Sequence, residues 1–373
     1  MRLIMGKFKV TVYAISKNEE QFVDRWMDAV SSADEVVVLD TGSTDNTVEK
    51  LRARGARVEV EIINPWRFDI ARNRSMDMIS EDTDICVMND IDEVFEDGWR
   101  EKLEDAWSSE FTRARYTFVW THNPDGTIKK KYNMEKIHIR KGYRWVHPVH
   151  ELLEYTGEKP EKTLEIFDIV LHHYPDDNKP RSQYLPLLEL SVKESPFNDR
   201  ATFWLGREYM YYEKYEEAIH MLKRHLLLPT ARWDQERSAS MRFIGFSYWK
   251  IGNIAQAKTW FYKSIGECSN IRESYMGFIK FGYEQKDWAL VYSMVIQALR
   301  YGVKKDSYLV EVDSWNHTIY DMGAIACYNL GLYKIGMEYA QQALDLDPMN
   351  KRLQENYGFF VNKLSLAKEN DSE

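Results

Sequence analysis

The sequence predicts an α/β domain with a mostly parallel sheet, followed by an all-α domain of helical repeats. Three observations point there. Short β-branched runs alternate with helical stretches from Lys9 to about Tyr174, the pattern of βαβ units. Beyond about Arg181 the strand signal stops and helical periodicity takes over. Within that second half small residues recur in pairs twelve positions apart, at Gly206/Ala218, Gly245/Ala257, Gly277/Ala289 and Ala324/Gly336.

Val10–Ile15 reads as a buried first strand, followed by a polar turn and a helix around Phe22, Trp26 and Ala29. Val36–Leu39, four consecutive apolar residues, suits a second strand covered on both faces. A helix is expected from about Thr44, with Ser43 or Thr44 as cap and Asp45 in its positive first turn. Val58–Ile63 and Ile85–Met88 read as strands three and four, and Tyr116–Trp120 and Ile166–Leu171 as later additions to the sheet. Pro175, Pro180 and the polar residues between them mark a boundary, giving domains 1–178 and 179–373.

Composition narrows the function. The 373 residues carry a net charge of −9, against a dedicated nucleic-acid binder, which needs a basic face. Cys86, Cys268 and Cys327 lie far apart in sequence and form neither a disulfide framework nor a metal knuckle. No apolar run approaches the ~20 residues of a transmembrane helix. Lys7 and Lys9 interrupt any signal-peptide core, so a cytoplasmic protein is expected. The 12 Trp, 23 Tyr and 16 Phe suit either large cores or carbohydrate and peptide surfaces.

In open parallel sheets ligands bind at the carboxyl ends of the strands. Here those ends run into Ser16–Glu20, Asp40–Asp45 and Asn89–Glu93, three polar, acidic loops at one edge. The first loop has no glycine, which excludes a dinucleotide fingerprint, and no P-loop occurs. Asp90-Ile91-Asp92 also suits an aspartyl-phosphate nucleophile, but that motif would end the first strand and here three precede it. Two carboxylates one residue apart suit a divalent cation completed by phosphate oxygens; a solvated acidic turn is the competing reading.

Val37-Val38-Leu39-Asp40-Thr41-Gly42-Ser43-Thr44-Asp45-Asn46-Thr47, then Ala71-Arg72-Asn73, then Asp90-Ile91-Asp92-Glu93 resemble, in order and spacing, the family-2 glycosyltransferases of the GT-A fold. The likeness covers roughly residues 8–175. Trp66-x-Phe68-x-x-Ala71-Arg72-Asn73, Val149-His150-Glu151 and Leu171-His172-His173 resemble a subset with tetratricopeptide repeats after the catalytic domain, as in the peptide S-glycosyltransferases of glycocin biosynthesis. The paired small residues of the second half resemble that repeat, in which they let antiparallel helices approach closely, although their spacing along the chain is uneven.

The resemblance implies a GT-A, Rossmann-like domain that moves a sugar from a nucleotide sugar, most often a UDP-hexose, with inversion and with Mn²⁺ or Mg²⁺. Carried over by position, Asn18 and Glu19 lie beside the nucleotide, Asp40 hydrogen-bonds it, Arg72 meets the diphosphate and Asp90 lies near the ribose or sugar. Asp92 is the metal ligand, His172 completes the metal or diphosphate site, and Glu151 is the base that takes the acceptor's proton. His147 and His150 compete with Glu151 for that role, and His172 and His173 face opposite sides of a strand, so one of the two serves. The acceptor is a saccharide, a lipid-linked glycan or a peptide, and the repeats either recruit it or pair protomers into a homodimer. A catalytically inactive scaffold of this fold is the alternative; it would carry a broken D-x-D or lack the base. The basic run Lys129–Arg144 reads either as a lid over the diphosphate or as a solvated loop.

Overall fold

The structure, a computed structural model, describes residues 6–176, 183–302, 304–305 and 307–370, the last five as backbone alone. The chain divides into two compact units, Met1–Ser191 with Asp306–Tyr308, and Val192–Lys305 with Leu309–Glu373. The expected boundary after residue 178, with Lys179 and Pro180, lies outside the described residues.

The first unit contains, in order, β1 (Val10–Ser16), α1 (Val23–Ala29), β2 (Glu35–Asp40), α2 (Thr47–Ala53), β3 (Arg57–Val60), α3 (Phe68–Asp77), β4 (Ile85–Met88), β5 (Glu93–Phe95), α4 (Trp99–Ala106), β6 (Arg113–His122), β7 (Ile128–Ile139), β8 (Tyr143–Val146), β9 (Leu152–Tyr155), β10 (Thr163–His173) and the greater part of α5 (Tyr184–Glu194), whose residues from Val192 on are counted with the second unit. Among the described residues its main sheet has the order β3-β2-β1-β4-β7-β6-β10-β5, with β8 and β9 paired separately. β3, β2, β1 and β4 run parallel, the α/β half that the alternating pattern predicts. The two-residue period of β1 divides the core between the sheet's faces. Val10, Val12 and Ala14 pack with Trp26 of α1 and Leu51 of α2, while Tyr13 packs on the other face with Ala71 and Met76 of α3.

The structure departs from the sequence reading in four places. α2 starts at Thr47 rather than Thr44, because Ser43 and Thr44 are engaged elsewhere: the Ser43 hydroxyl donates to Asp40 and the Thr44 amide to Asn18. β3 ends at Val60, leaving Ile62 exposed. Lys129–Lys136 is neither lid nor loop but part of β7, which lies antiparallel between β4 and β6. The fourth is β5, three residues hidden inside the acidic run, which pairs antiparallel with β10 at the sheet edge.

The second unit consists of helix pairs: α6 (Asp199–Tyr211) with α7 (Tyr215–Leu227), α8 (Asp234–Lys250) with α9 (Ile254–Glu267), α10 (Glu273–Glu284) with α11 (Trp288–Leu299), and α12 (His317–Asn329) with α13 (Tyr333–Leu346), then α14 (Lys351–Asn370). Each pair is joined by three residues, and the middle one has a left-handed backbone: Glu213 (φ 59°), Gly252 (80°), Lys286 (55°) and Gly331 (74°). One backbone bond closes all four turns, Lys214 N to Tyr209 O, Asn253 N to Tyr248 O, Asp287 N to Gly282 O and Leu332 N to Cys327 O, at 2.8–2.9 Å. The hairpin is therefore the repeated unit, and the uneven spacing arises between hairpins. In the first two pairs the small residue makes the close contact with its partner helix, a Cβ on Gly206 lying 2.6 Å from Leu222 Cγ and one on Gly245 3.0 Å from Phe261 Cδ1, whereas Gly277 lies against Arg242 and Phe261 of the preceding pair and Gly336 lies nearest Phe360 of α14.

Candidate functional site

The carboxyl ends of β1, β2 and β4 carry the first group of residues. Asp40, fully buried at the end of β2, accepts from the amides of Gly42 (3.0 Å) and Ser43 (2.8 Å) and from the hydroxyls of Ser16 (2.8 Å) and Ser43 (2.5 Å). Both its oxygens are thus committed to holding the Gly42–Ser43 turn. Asn18, in a left-handed conformation (φ 53°), takes the Thr44 amide at 2.7 Å and donates its own amide to Ser43 Oγ. Glu19 is buried and its amide donates to Thr47 Oγ1. The loops after β1 and β2 are therefore laced together, with Asn18 exposed at the rim.

The second group meets where α3 passes the end of β4. Arg72, 8% exposed at its side chain, spans two carboxylates. Its Nη1 and Nη2 donate to the two oxygens of Asp90 at 2.8 and 3.2 Å, and its Nε donates to Glu151 Oε1. Behind Asp90, Lys136 of β7 reaches Asp90 at 3.4 Å and the buried Glu93 at 3.1 Å, while Glu93 Oε2 accepts the Asp90 amide at 3.0 Å. Burial works to raise the Asp90 carboxyl, but Arg72 and Lys136 outweigh it and hold it below the usual range. In Glu93 burial wins over Lys136, with Asp90 and Asp92 adding to it, and its carboxyl is raised. Burial likewise opposes the charge on Lys136, yet the two carboxylates keep it more firmly protonated than an ordinary lysine.

The third group lies at the end of β10. Asp92 Oδ2 is 3.5 Å from Nε2 of His173, whose ring stacks on Trp120 at 4.4 Å. Burial lowers the His173 imidazole and the Asp92 contact more than compensates, so it is raised. His172 points away from Asp92. Its Nδ1 pairs with His122 Nε2 and its Nε2 with Glu96 Oε1, both at 2.9 Å. Asp90, Arg72 and Glu151 are thus brought together and Asp92 is joined by His173, while Asp40 and Asn18 serve their own loops. Among the described residues no group of three or more His, Cys, Asp or Glu is arranged to hold a metal ion, and no helix is long and apolar enough to cross a membrane.

Two contributors carry no role in the sequence pattern alone. Lys136 lies within the basic run, where apolar Tyr132, Met134, Ile137 and Ile139 around it are the one sign of a strand. Asn73 belongs to the Ala71-Arg72-Asn73 motif; its side chain bonds the Trp145 backbone twice, accepting from N at 2.9 Å and donating to O at 2.8 Å.

Residues 11–168 match the family model described as glycosyl transferase family 2. This segment is a family-2 glycosyltransferase domain. An uncharacterized glycosyltransferase of Rickettsia typhi is 41% identical over 59 residues, 16% of this chain and 19% of that protein. The chain thus matches about a fifth of the length of that curated relative. Among solved structures, that of Pseudomonas aeruginosa pilF aligns with 48% of this chain and 72% of its own at 17% identity and a TM-score of 0.36. The Cut9–Hcn1 hetero-tetramer of APC/C aligns over 49% and 33% at 15% identity and a TM-score of 0.38. The family-2 domain ends, by this match, before the His172-His173 pair. It contains the whole Arg72–Asp90–Glu151 constellation, and α3 of the domain supplies the cation between the two carboxylates.

Proposed function

We propose that the protein is an inverting glycosyltransferase that moves a hexose from UDP to a saccharide, lipid-linked glycan or peptide acceptor. The observation that carries this reading is the bridge of Arg72 between Asp90 and Glu151 inside a family-2 domain. Inversion needs one carboxylate to take the acceptor's proton during its attack on the anomeric carbon. Glu151, with one oxygen fixed on Arg72, keeps its second oxygen for that proton. Arg72 carries a permanent positive fork for the anionic diphosphate, and Asp90, which it holds, lies toward the ribose or sugar in this reading. The Asp40-built turn and Asn18 border the nucleotide in this reading, with Glu19 buried behind them.

The donor set of Asp92 and His173, one carboxylate and one imidazole 3.5 Å apart, suits a single Mn²⁺ or Mg²⁺ whose other positions go to phosphate oxygens and water. When bound, such an ion supplies neutralisation of the charge growing on the departing nucleoside diphosphate. Asp92 and His173 would hold it, and Trp120 stacks behind the imidazole to fix its plane.

The test is thermal unfolding with UDP, GDP and dTDP, each with and without Mn²⁺. A ligand at ~100 times its Kd adds about 2.7 kcal/mol to the state that binds it, roughly 5–10 °C for a unit of this size. A Mn²⁺-dependent shift with UDP is expected, and Glu151→Gln should keep the shift while losing UDP release from UDP-glucose, UDP-galactose or UDP-N-acetylglucosamine. Absence of a shift with every nucleotide in the folded protein overturns the donor assignment and favours the scaffold; full turnover by Glu151→Gln overturns the base.

A further inference from the structure

Glu151 stands at the end of a segment, Trp145–Glu151, that has little regular structure of its own. Two of its residues have left-handed backbones, His147 (φ 79°) and His150 (φ 50°), a conformation that costs a non-glycine residue energy and persists only when its surroundings impose it. The imposing element is α3, which grips the segment at three levels. At the near end Asn73 bonds both backbone polar groups of Trp145. In the middle the Phe68 amide donates to Pro148 O at 3.0 Å. At the far end Arg72 meets Glu151. Trp145 is fixed from its other side too, its indole N–H donating to Tyr13 Oη at 3.0 Å. The Arg72 guanidinium lies 5.3 Å from the centroid of the Trp145 ring.

We propose that Asn73 is a positioning residue for Glu151, acting through Trp145; this rests on the reading of Glu151 as the base. A primary amide suits the task because it offers one acceptor and two donors in a plane, matching the N–H and C=O of a single residue. The clamp sets where the segment leaves β8, and the left-handed turns at His147 and His150 carry that placement to the carboxylate. The Asn73 side chain directs its hydrogen bonds to Trp145, whereas the nucleotide loops are held by Asn18 and Asp40, so loss of Asn73 should cost rate and leave donor affinity alone. A displacement of about 1 Å in a catalytic group lowers turnover on the order of 100-fold.

The experiment compares Asn73→Ala, Asn73→Asp and the control Arg74→Ala in the full-length chain. Arg74 shares the helix but is exposed and pairs with Glu61, 3.7 Å away at the surface. UDP release from the UDP-sugar that turns over is measured alongside UDP affinity and the melting temperature. Asn73→Ala is expected to lower kcat about 10–100-fold with KM and UDP affinity within about twofold, and Arg74→Ala to leave both unchanged. Asn73→Asp keeps an acceptor for the Trp145 amide but sets a carboxylate oxygen against the Trp145 carbonyl, so it should fall with Asn73→Ala; it carries the test if the alanine variant fails to fold. Unchanged kcat in a folded Asn73 variant overturns the proposal, as does a loss of UDP affinity equal to the loss of kcat. An active Glu151→Gln would instead overturn the base assignment, whatever the Asn73 variants do.

Discussion

Nε2 of His173 lies 3.5 Å from Oδ2 of Asp92, while His172, one residue earlier on β10, faces Glu96 and His122. Strand pairing decides which histidine points where. In the antiparallel register His173 opposes Glu93 and His172 opposes Val94, and opposed residues share a face of the sheet. Glu93 faces Lys136 and the acidic cluster, so His173 does too. On this geometry His173→Ala should weaken Mn²⁺-dependent UDP binding by on the order of tenfold or more, and His172→Ala should leave it within about twofold. Titration of the UDP-induced melting shift with Mn²⁺ reads both. The opposite ranking would move the ion to the His172 side.

A second prediction concerns acid stability. His138 is fully buried, and its hydrogen bonds fix its tautomer. Nδ1 faces the Ile139 carbonyl at 2.7 Å and must donate, so Nε2 accepts from Tyr13 Oη at 2.9 Å, which in turn accepts from the Trp145 indole. Protonation would set a second N–H in competition with the Tyr13 hydroxyl. Burial pushes the imidazole down to about 3, with Arg113 and Arg140 adding to the shift against the bond to Ile139.

In the unfolded chain the same group titrates near ~6.5. Between that value and about 3 the unfolded state binds the extra proton, so stability falls as pH falls, by up to ~1.4 kcal/mol per pH unit from this group. The advantage of the wild type over His138→Asn, measured by urea unfolding at pH 7, 6, 5 and 4, should therefore shrink steadily below pH 6.5. A constant gap across that range would mean that His138 is not held neutral.

The parallel half of the sheet was legible because Val10–Ile15, Val36–Leu39 and Ile85–Met88 are apolar on both faces, a pattern that depends on no partner. What escaped depends on pairing. β5 is only Glu93–Phe95, and its charged first residue looks like turn until β10 lies beside it. β7 is rich in lysine because much of it is exposed and Lys136 answers Asp90 and the buried Glu93, a reason visible only once β4 and β6 flank it. The candidate site divides in the same way. Arg72, Asp90 and Glu151 were marked by motif, yet their direct contact spans 79 positions of sequence and follows from where α3 lies. The resemblance sets Asp40 against the nucleotide, and within the chain it holds the amides of Gly42 and Ser43, two and three residues on, a loop-building part that the motif alone does not show.

The four hairpin turns of the helical unit make a third prediction. Their middle residues share one conformation and one closing bond, yet two are glycine and two are Glu213 and Lys286. A left-handed backbone costs a residue with a Cβ roughly 1–2 kcal/mol, while glycine adopts it freely and loses more entropy on folding. The first effect outweighs the second at a turn whose φ is fixed, so Glu213→Gly and Lys286→Gly should each stabilise the unit by about 0.5–1 kcal/mol. Gly252→Ala and Gly331→Ala should each destabilise it by a similar ~1 kcal/mol. Nothing lies within 4 Å of a Cβ built on either glycine, which leaves the backbone as the cause. Urea unfolding of the four variants separates the cases: a neutral Gly252→Ala would mean that the turn relaxes out of the left-handed region, and the shared closing bond from Asn253 N to Tyr248 O would then be lost to hydrogen exchange first.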